Sequence, residues 1–411
     1  MKMKTQAKQS LEFVKLLAAN FISQTGTSLL TLGLSAFIFS QSQSILYASL
    51  VIVISYLPSL FVSSYLGQLI DKKISKKLMI QIEFISLLIS MLCGLVVLFE
   101  LPIYCLAFCL ILRSLLNFSS KTSFNKWLKM ISPAPLQKNR IKLHKLSFFL
   151  AVCFAGLLVS QYLSKDSILN IIYVDALTYF ICILIICLFN RASKNKEIEN
   201  YSFQRASLWQ TYQYIFSMPA LKSSFIMVVL AQGILQGSYS VYLNYLPLQK
   251  FMLPIKTVGT FQVFSVLGIL MGFSIVFFIP KFMQDKKVEI PYKSLISGLL
   301  GLICMTAIAE NNNLPQTLVL FFTHCMFYEL IYLHQSAEFF KYAPEKHIAK
   351  LQFTLQASAG AFMSLSIFIF SFILEHLNLA SATLVMITFA SLAWIYLCSA
   401  KSRNIQVLER L

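Results

Sequence analysis

Charge is the scarce component of this sequence. Only 12% of its 411 residues are Asp, Glu, Lys or Arg, against about a quarter in a soluble domain. That excludes an ordinary globular protein. Acid is the scarcer sign, with 16 Asp and Glu against 34 Lys and Arg. The net charge of +18 does not point to nucleic acid, because no basic groove is interleaved with aromatics. Nine cysteines form no CxxC pair and no disulfide framework. Cys105 and Cys109 stand at i, i+4 without an accompanying His or acid, so they read as small apolar residues and no metal is expected. There is no GxxxxGK[ST] phosphate loop, which excludes an ATP-driven pump in this chain alone. No HExxH occurs, and no polar stretch is long enough for a soluble catalytic domain. The chain is therefore expected to be no enzyme and to need no cofactor.

What is abundant is apolar sequence. Hydrophobic residues make up 57% of the chain, and the mean hydropathy is +0.72. The apolar runs are continuous rather than alternating, which points to an all-α polytopic membrane protein and away from a β-barrel. Twelve spans are expected, at roughly 13–40, 45–69, 78–99, 102–119, 143–163, 168–190, 222–246, 257–280, 293–310, 315–337, 350–374 and 379–399. The basic stretch Met1 to Lys15 leads into apolar residues reaching Phe39 with no small-residue cleavage site, so it reads as the first span and not a signal peptide. The longest polar interruption divides the spans six and six. It gives an N-terminal six-helix bundle at 1–190, a cytoplasmic linker at 191–221, and a C-terminal bundle with a short tail at 222–411.

The basic residues orient the chain. With the N-terminus inside, 30 of the 34 Lys and Arg fall in inside segments. Only Lys165, Lys250 and Lys256 fall outside, and Arg113 lies within a span. This bias places both termini in the cytoplasm.

The loop Gly67-Gln-Leu-Ile-Asp71-Lys72-Lys73-Ile-Ser-Lys76-Lys77 joins the second and third spans. Gly67 permits close approach of two helix ends, and Asp71 among four lysines suggests an ion-pair clasp, unless the loop is simply a positive-inside connection. Gly67, Leu69, Asp71, Lys72, Lys76 and Lys77 resemble the loop signature of the major facilitator superfamily. Ile74 and Ser75 stand where many members carry Gly and a basic residue. The stretches 126–146, 210–224 and 341–360 resemble connections of its drug- and siderophore-exporting branch, which includes macrolide-efflux and enterobactin-exporter-like proteins. Span five keeps Ala155-Gly156 but no following proline of the antiporter motif.

Several polar residues interrupt the spans. Arg113 in span four is an intramembrane cation and thus a functional candidate, or a structural partner for an acid elsewhere. The resemblance implies proton coupling or recognition of substrate charge for it. Asp175 in span six can carry a proton, or cap an interface near the outer end. Glu329 in span ten, flanked by His324 and His334, can bind a proton or a cationic group, or make an inter-helix contact. Glu83 reads as a clasp to a lysine of a neighbouring loop. Asn20 and Gln24 in span one, and Gln232 and Gln236 in span seven, are candidates for substrate hydrogen bonds or for packing contacts.

The resemblance implies a twelve-helix, two-bundle secondary transporter of a bacterial inner membrane, monomeric and powered by a proton gradient. In it Gly67, Asp71, Lys72, Lys76, Lys77, Arg113 and Asp175 gate and couple. Asn20, Gln24, Arg113, Gln232, Gln236 and Glu329 meet the substrate. The expected activity is export of a siderophore or an amphipathic drug. The alternatives are import of a ferric siderophore or metabolite, or a non-transporting receptor or scaffold.

Overall fold

The computed structural model describes residues 2–58, 75–132, 134–164, 168–189, 208–278, 290–343 and 348–392. Among them there is no strand. The helices are α1 Lys2–Ser42, α2 Ile45–Pro58, α3 Lys76–Leu98, α4 Ile103–Ile131, α5 Ala134–Tyr162, α6 Ile168–Cys187 and α7 Leu208–Ser217. They continue as α8 Pro219–Leu230, α9 Gly237–Tyr245, α10 Thr257–Phe278, α11 Ile290–Glu310, α12 Leu314–Tyr342, α13 Ile348–His376 and α14 Leu379–Leu392. Over the described residues, each expected span coincides with helix. Eight are long and apolar enough to cross a membrane, and α2, 296–310 of α11 and α14 are shorter apolar helices.

The remaining span is α4, where the boundary expected at 119 needs correction. The helix runs on to Ile131. Hydropathy falls at Lys121 and Lys126, but nothing there breaks an α-helix until Ser132 and Pro133. The connection expected at 126–146 is mostly helix as well, because α5 begins at Ala134.

Local chemistry sets the helix starts. Ser75 is extended (φ −151°, ψ 157°) and its hydroxyl accepts from the Leu78 amide at 3.1 Å, capping α3. Asn313 caps α12 likewise, accepting from the Gln316 amide at 3.1 Å. Between α8 and α9 the backbone winds into a π-helix at Ala231–Gln236, and a second follows at Leu246–Lys250. Pro247 accounts for the second, since it has no N–H for the α ladder.

The chain forms two compact units. The first comprises Met1–Gln41, Ile54–Gln204 and Pro254–Val263. One end of it is an apolar cluster of Phe13, Leu16, Met79, Phe124, Trp127, Leu128 and Phe189. Lys15 and Lys76 hold the C-terminal carbonyls there, donating to Leu188 O at 2.7 Å and Phe189 O at 2.9 Å. Cations suit the negative end of a helix dipole.

The second unit comprises Ser42–Val53, Arg205–Leu253 and Phe264–Leu411. Its core joins Ile215, Leu221, Phe225, Val228, Phe339, Leu351 and Leu355. Small residues bring α10 onto α12. A Cβ on Gly268 would stand 2.2 Å from the Phe322 carbonyl oxygen, and one on Gly272 2.7 Å from that of Met326. Such contacts drive helix association where lipid removes the hydrophobic force.

Gly268→Ala should therefore lower stability by about 1–3 kcal/mol, because the opposing atom is helix backbone that cannot turn aside. Gly360→Ala meets nothing within 4 Å and should hold or raise it by up to about 1 kcal/mol. Thermal unfolding of the two variants in detergent checks the contrast.

Candidate functional site

Four helices of the first unit carry a polar stripe. It is Glu83, Ser86 and Ser90 on α3; Arg113, Asn117 and Ser120 on α4; Asp175, Thr178, Tyr179 and Cys182 on α6; and Ser23, Gln24 and Thr27 on α1. Spacings of three, four and seven put each set on one helix face. On α3 the other face exposes Phe84, Ile85, Leu88, Met91, Leu92 and Leu95. Polar groups inside and apolar groups outside is the arrangement that lipid requires.

Arg113 and Asp175 meet in this interior as a forked ion pair. Arg113 is 4% exposed and Asp175 is fully buried. Nη2 donates to Oδ1 at 2.6 Å, and Nη1 donates to Oδ2 and to Ser90 Oγ. The Ser90 hydroxyl in turn donates to Oδ2 at 2.6 Å. The guanidinium lies 5.3 Å from the centre of the Tyr179 ring, whose hydroxyl meets Thr27 Oγ1 at 3.1 Å. Gly26 makes room on α1: a Cβ there would fall 1.9 Å from Thr178 Oγ1 and 2.9 Å from Asp175 Oδ1. Asp175 thus sits in the core and is no interfacial cap. Arg113 is already neutralised by it.

Glu83 corrects a second expectation. It makes no clasp with a described lysine but lies two turns into α3, 1% exposed. Oε2 accepts from Ser23 Oγ at 3.3 Å and Oε1 from Ser120 Oγ. The Cys182 thiol and the Asp175 carboxylate also face it. Among the described residues no Lys, Arg or His is paired with it. The sequence signal for this cluster was the stripe on α3, but a stripe names a face and not the helix it faces.

The other expected residues are distributed as follows. Gln24 Nε2 approaches Asn117 Oδ1 at 3.5 Å, and Asn20 is 2% exposed with Nδ2 lacking a hydrogen-bond partner among the described residues. Lys76 is committed to the end of α6, and Lys77 is exposed. Gly67, Asp71 and Lys72 lie outside the described residues. In the second unit, Gln232 lies within the first π-helix, and Gln236 accepts from Tyr328 OH at 2.8 Å. His324 sits on two carbonyls, Gly301 O and Leu235 O, each at 3.0 Å. The Leu235 carbonyl belongs to the π-helix, where the ordinary ladder is interrupted. Glu329 is buried and faces α10 at Gly272, so it and His324 do not form one site.

Removing one member of the Arg113–Asp175 pair should cost about 3–5 kcal/mol by leaving a buried charge alone. Arg113→Met and Asp175→Leu should each unfold readily, and the double variant should recover most of the loss. Chemical denaturation of all four proteins in one detergent reads the coupling.

Solved structures with the same fold are transporters of differing cargo. The nucleoside transporter NupG is 15% identical with a TM-score of 0.75, covering 94% of this chain and 99% of its own. The peptide transporter POT is 12% identical with a TM-score of 0.75, covering 95% and 94%. A bacterial homologue of the lysosomal transporter Spinster is 10% identical with a TM-score of 0.71, covering 95% and 96%. No curated protein matches the sequence. Residues 16–351 match the Major Facilitator Superfamily. That match spans most of the sequence, and the chain belongs to this superfamily of multi-pass membrane transporters, whose members are generally not enzymes.

Proposed function

We propose that the protein is a proton-driven secondary transporter of a bacterial inner membrane that exports a small organic molecule, a siderophore or an amphipathic drug. It works as a monomer by alternating access of two bundles, 1–190 and 222–411, with 191–221 and both termini in the cytoplasm. The proton gradient supplies the energy and no bound cofactor is needed. Export and substrate class rest on the resemblance of the connecting stretches to the drug- and siderophore-exporting branch.

Proton coupling rests on a mismatch of charge. Two buried carboxylates, Glu83 and Asp175, share one cation, Arg113. Arg113 is committed to Asp175, and among the described residues Glu83 is met by two hydroxyls, a thiol and the Asp175 carboxylate, with no cation. An isolated carboxylate in apolar surroundings is costly. A proton from outside supplies the missing positive charge. When Glu83 gives it up, the new carboxylate competes with Asp175 for Arg113 and loosens the pair. Gly67, Asp71, Lys72, Lys76 and Lys77 then serve the gate, and Asn20, Gln24, Gln232, Gln236 and Glu329 the substrate.

Glu83→Gln mimics the protonated acid: its amide oxygen still accepts from one serine and its NH2 donates to the other, whose hydroxyl turns to accept, so it should fold as the parent does. In proteoliposomes it should retain substrate counterflow and lose transport driven by a pH gradient. Gradient-driven transport at the parental rate would remove Glu83 from the coupling. In the host, deleting the gene under iron limitation should reduce chelator in the medium and raise it inside cells. A change confined to drug susceptibility selects the drug instead.

A further inference from the structure

Arg113 is the cation that the sequence offers to an anionic substrate, but its guanidinium is saturated. A different cation on the same helix is not. Lys121 is partly buried on α4, and its ammonium stands 5.1 Å from the centre of the Phe148 ring on α5. Among the described residues it has no carboxylate partner.

The register of α1 against α4 places a second donor at its level in the bundle. Thr27 is linked through Tyr179 to Arg113, Gln24 meets Asn117, and Ser23 and Ser120 share Glu83. Nearer the N-terminus, Phe13 and Leu16 pack with Phe124, Trp127 and Leu128. Positions fall on α1 as they rise on α4, so the two helices run antiparallel. Asn20 lies one turn before Gln24, and Lys121 one turn after Asn117, which brings them to the same level on facing stripes. Asn20 is 2% exposed, and its Nδ2 is a buried donor without a partner among the described residues. Buried donors are otherwise satisfied in native structures. Ser147 Oγ, donating to Leu17 O at 3.3 Å, holds α5 against α1 one turn away.

We infer that Lys121 and Asn20 form a subsite for the carboxylate of a small organic anion, with the Phe148 ring as its apolar wall. This rests on the transporter reading above and narrows its substrate class. The ammonium supplies the charge and the Asn20 amide a directed N–H, a pairing that suits a carboxylate oxygen.

The test is calorimetric binding to the full-length protein in phosphatidylcholine nanodiscs, without a proton gradient. The probes are benzoate, its neutral isostere benzamide, and inorganic phosphate. Benzoate should bind more tightly than benzamide. Lys121→Gln should weaken benzoate about tenfold or more, Lys121→Arg should restore it, and Asn20→Asp should abolish it by supplying an internal anion. Benzoate binding absent from the parent, or unchanged in Lys121→Gln, overturns the subsite. So does binding of phosphate alone, or loss of the Lys121 dependence in discs containing phosphatidylglycerol, since either result assigns the lysine to a phosphate group. Lys121-dependent binding without gradient-driven flux leaves the subsite standing and removes only the coupling. Flux of a neutral amphiphile that is unchanged in Lys121→Gln, with no benzoate binding, does the reverse.

Discussion

The forked ion pair between Arg113 and Asp175 constrains everything around it in the first unit. Two charges cannot be left in a helix bundle surrounded by lipid unless each is met completely. Ser90 therefore stands between α3 and the pair, Tyr179 offers its ring face, and Gly26 withholds a side chain so that α1 can close over the carboxylate. Each accommodation comes from a different helix. The pair consequently fixes how far apart α1, α3, α4 and α6 sit as well as their rotation.

The second unit is assembled on other terms. Its tightest contacts are glycines against backbone carbonyls, at Gly268 and Gly272 on α10. Its central polar group is His324, held by two carbonyls rather than by a charge. One of these carbonyls, Leu235 O, lies in the six-residue stretch between α8 and α9 where the chain leaves the α ladder. A π segment stores a choice of hydrogen bonds that a regular helix lacks. Gln232 and Gln236 fall within that same segment.

Charge bookkeeping in the first unit separates three proposed roles, two of which, coupling and substrate contact, the sequence alone places together on Arg113. Arg113 and Asp175 cancel each other. Glu83 is a buried acid with no counter-charge among the described residues, which suits it to the proposed proton. Lys121 is a cation with no acid partner among the described residues, which suits it to the proposed anion. In the proposed cycle the driving proton and the cargo are sensed separately yet within reach of one structural element. Here α4 carries Arg113, Lys121 and the Ser120 that binds Glu83 within nine residues.

Much of the fold was legible in the residues alone, because a membrane-crossing helix must hide its backbone and present apolar side chains over about twenty residues. That requirement is local, so the spans followed from hydropathy. It also explains the error at α4, where hydropathy ends at Lys121 while the helix continues to Ile131. Intramembrane charge was equally visible: Arg113, Asp175 and Glu329 stood out as costly. What the sequence could not specify is which helix each stripe faces. Glu83 lies six residues from Lys77, the nearest residue of the charged loop, but hydroxyls from α1 and α4 reach it across the bundle. Whether a buried charge is spent or available depends on partners 37, 60 or 62 residues away in the chain. Only tertiary packing brings such partners within three ångströms or so, and at that distance the choice between ion pair, proton site and ligand site is made.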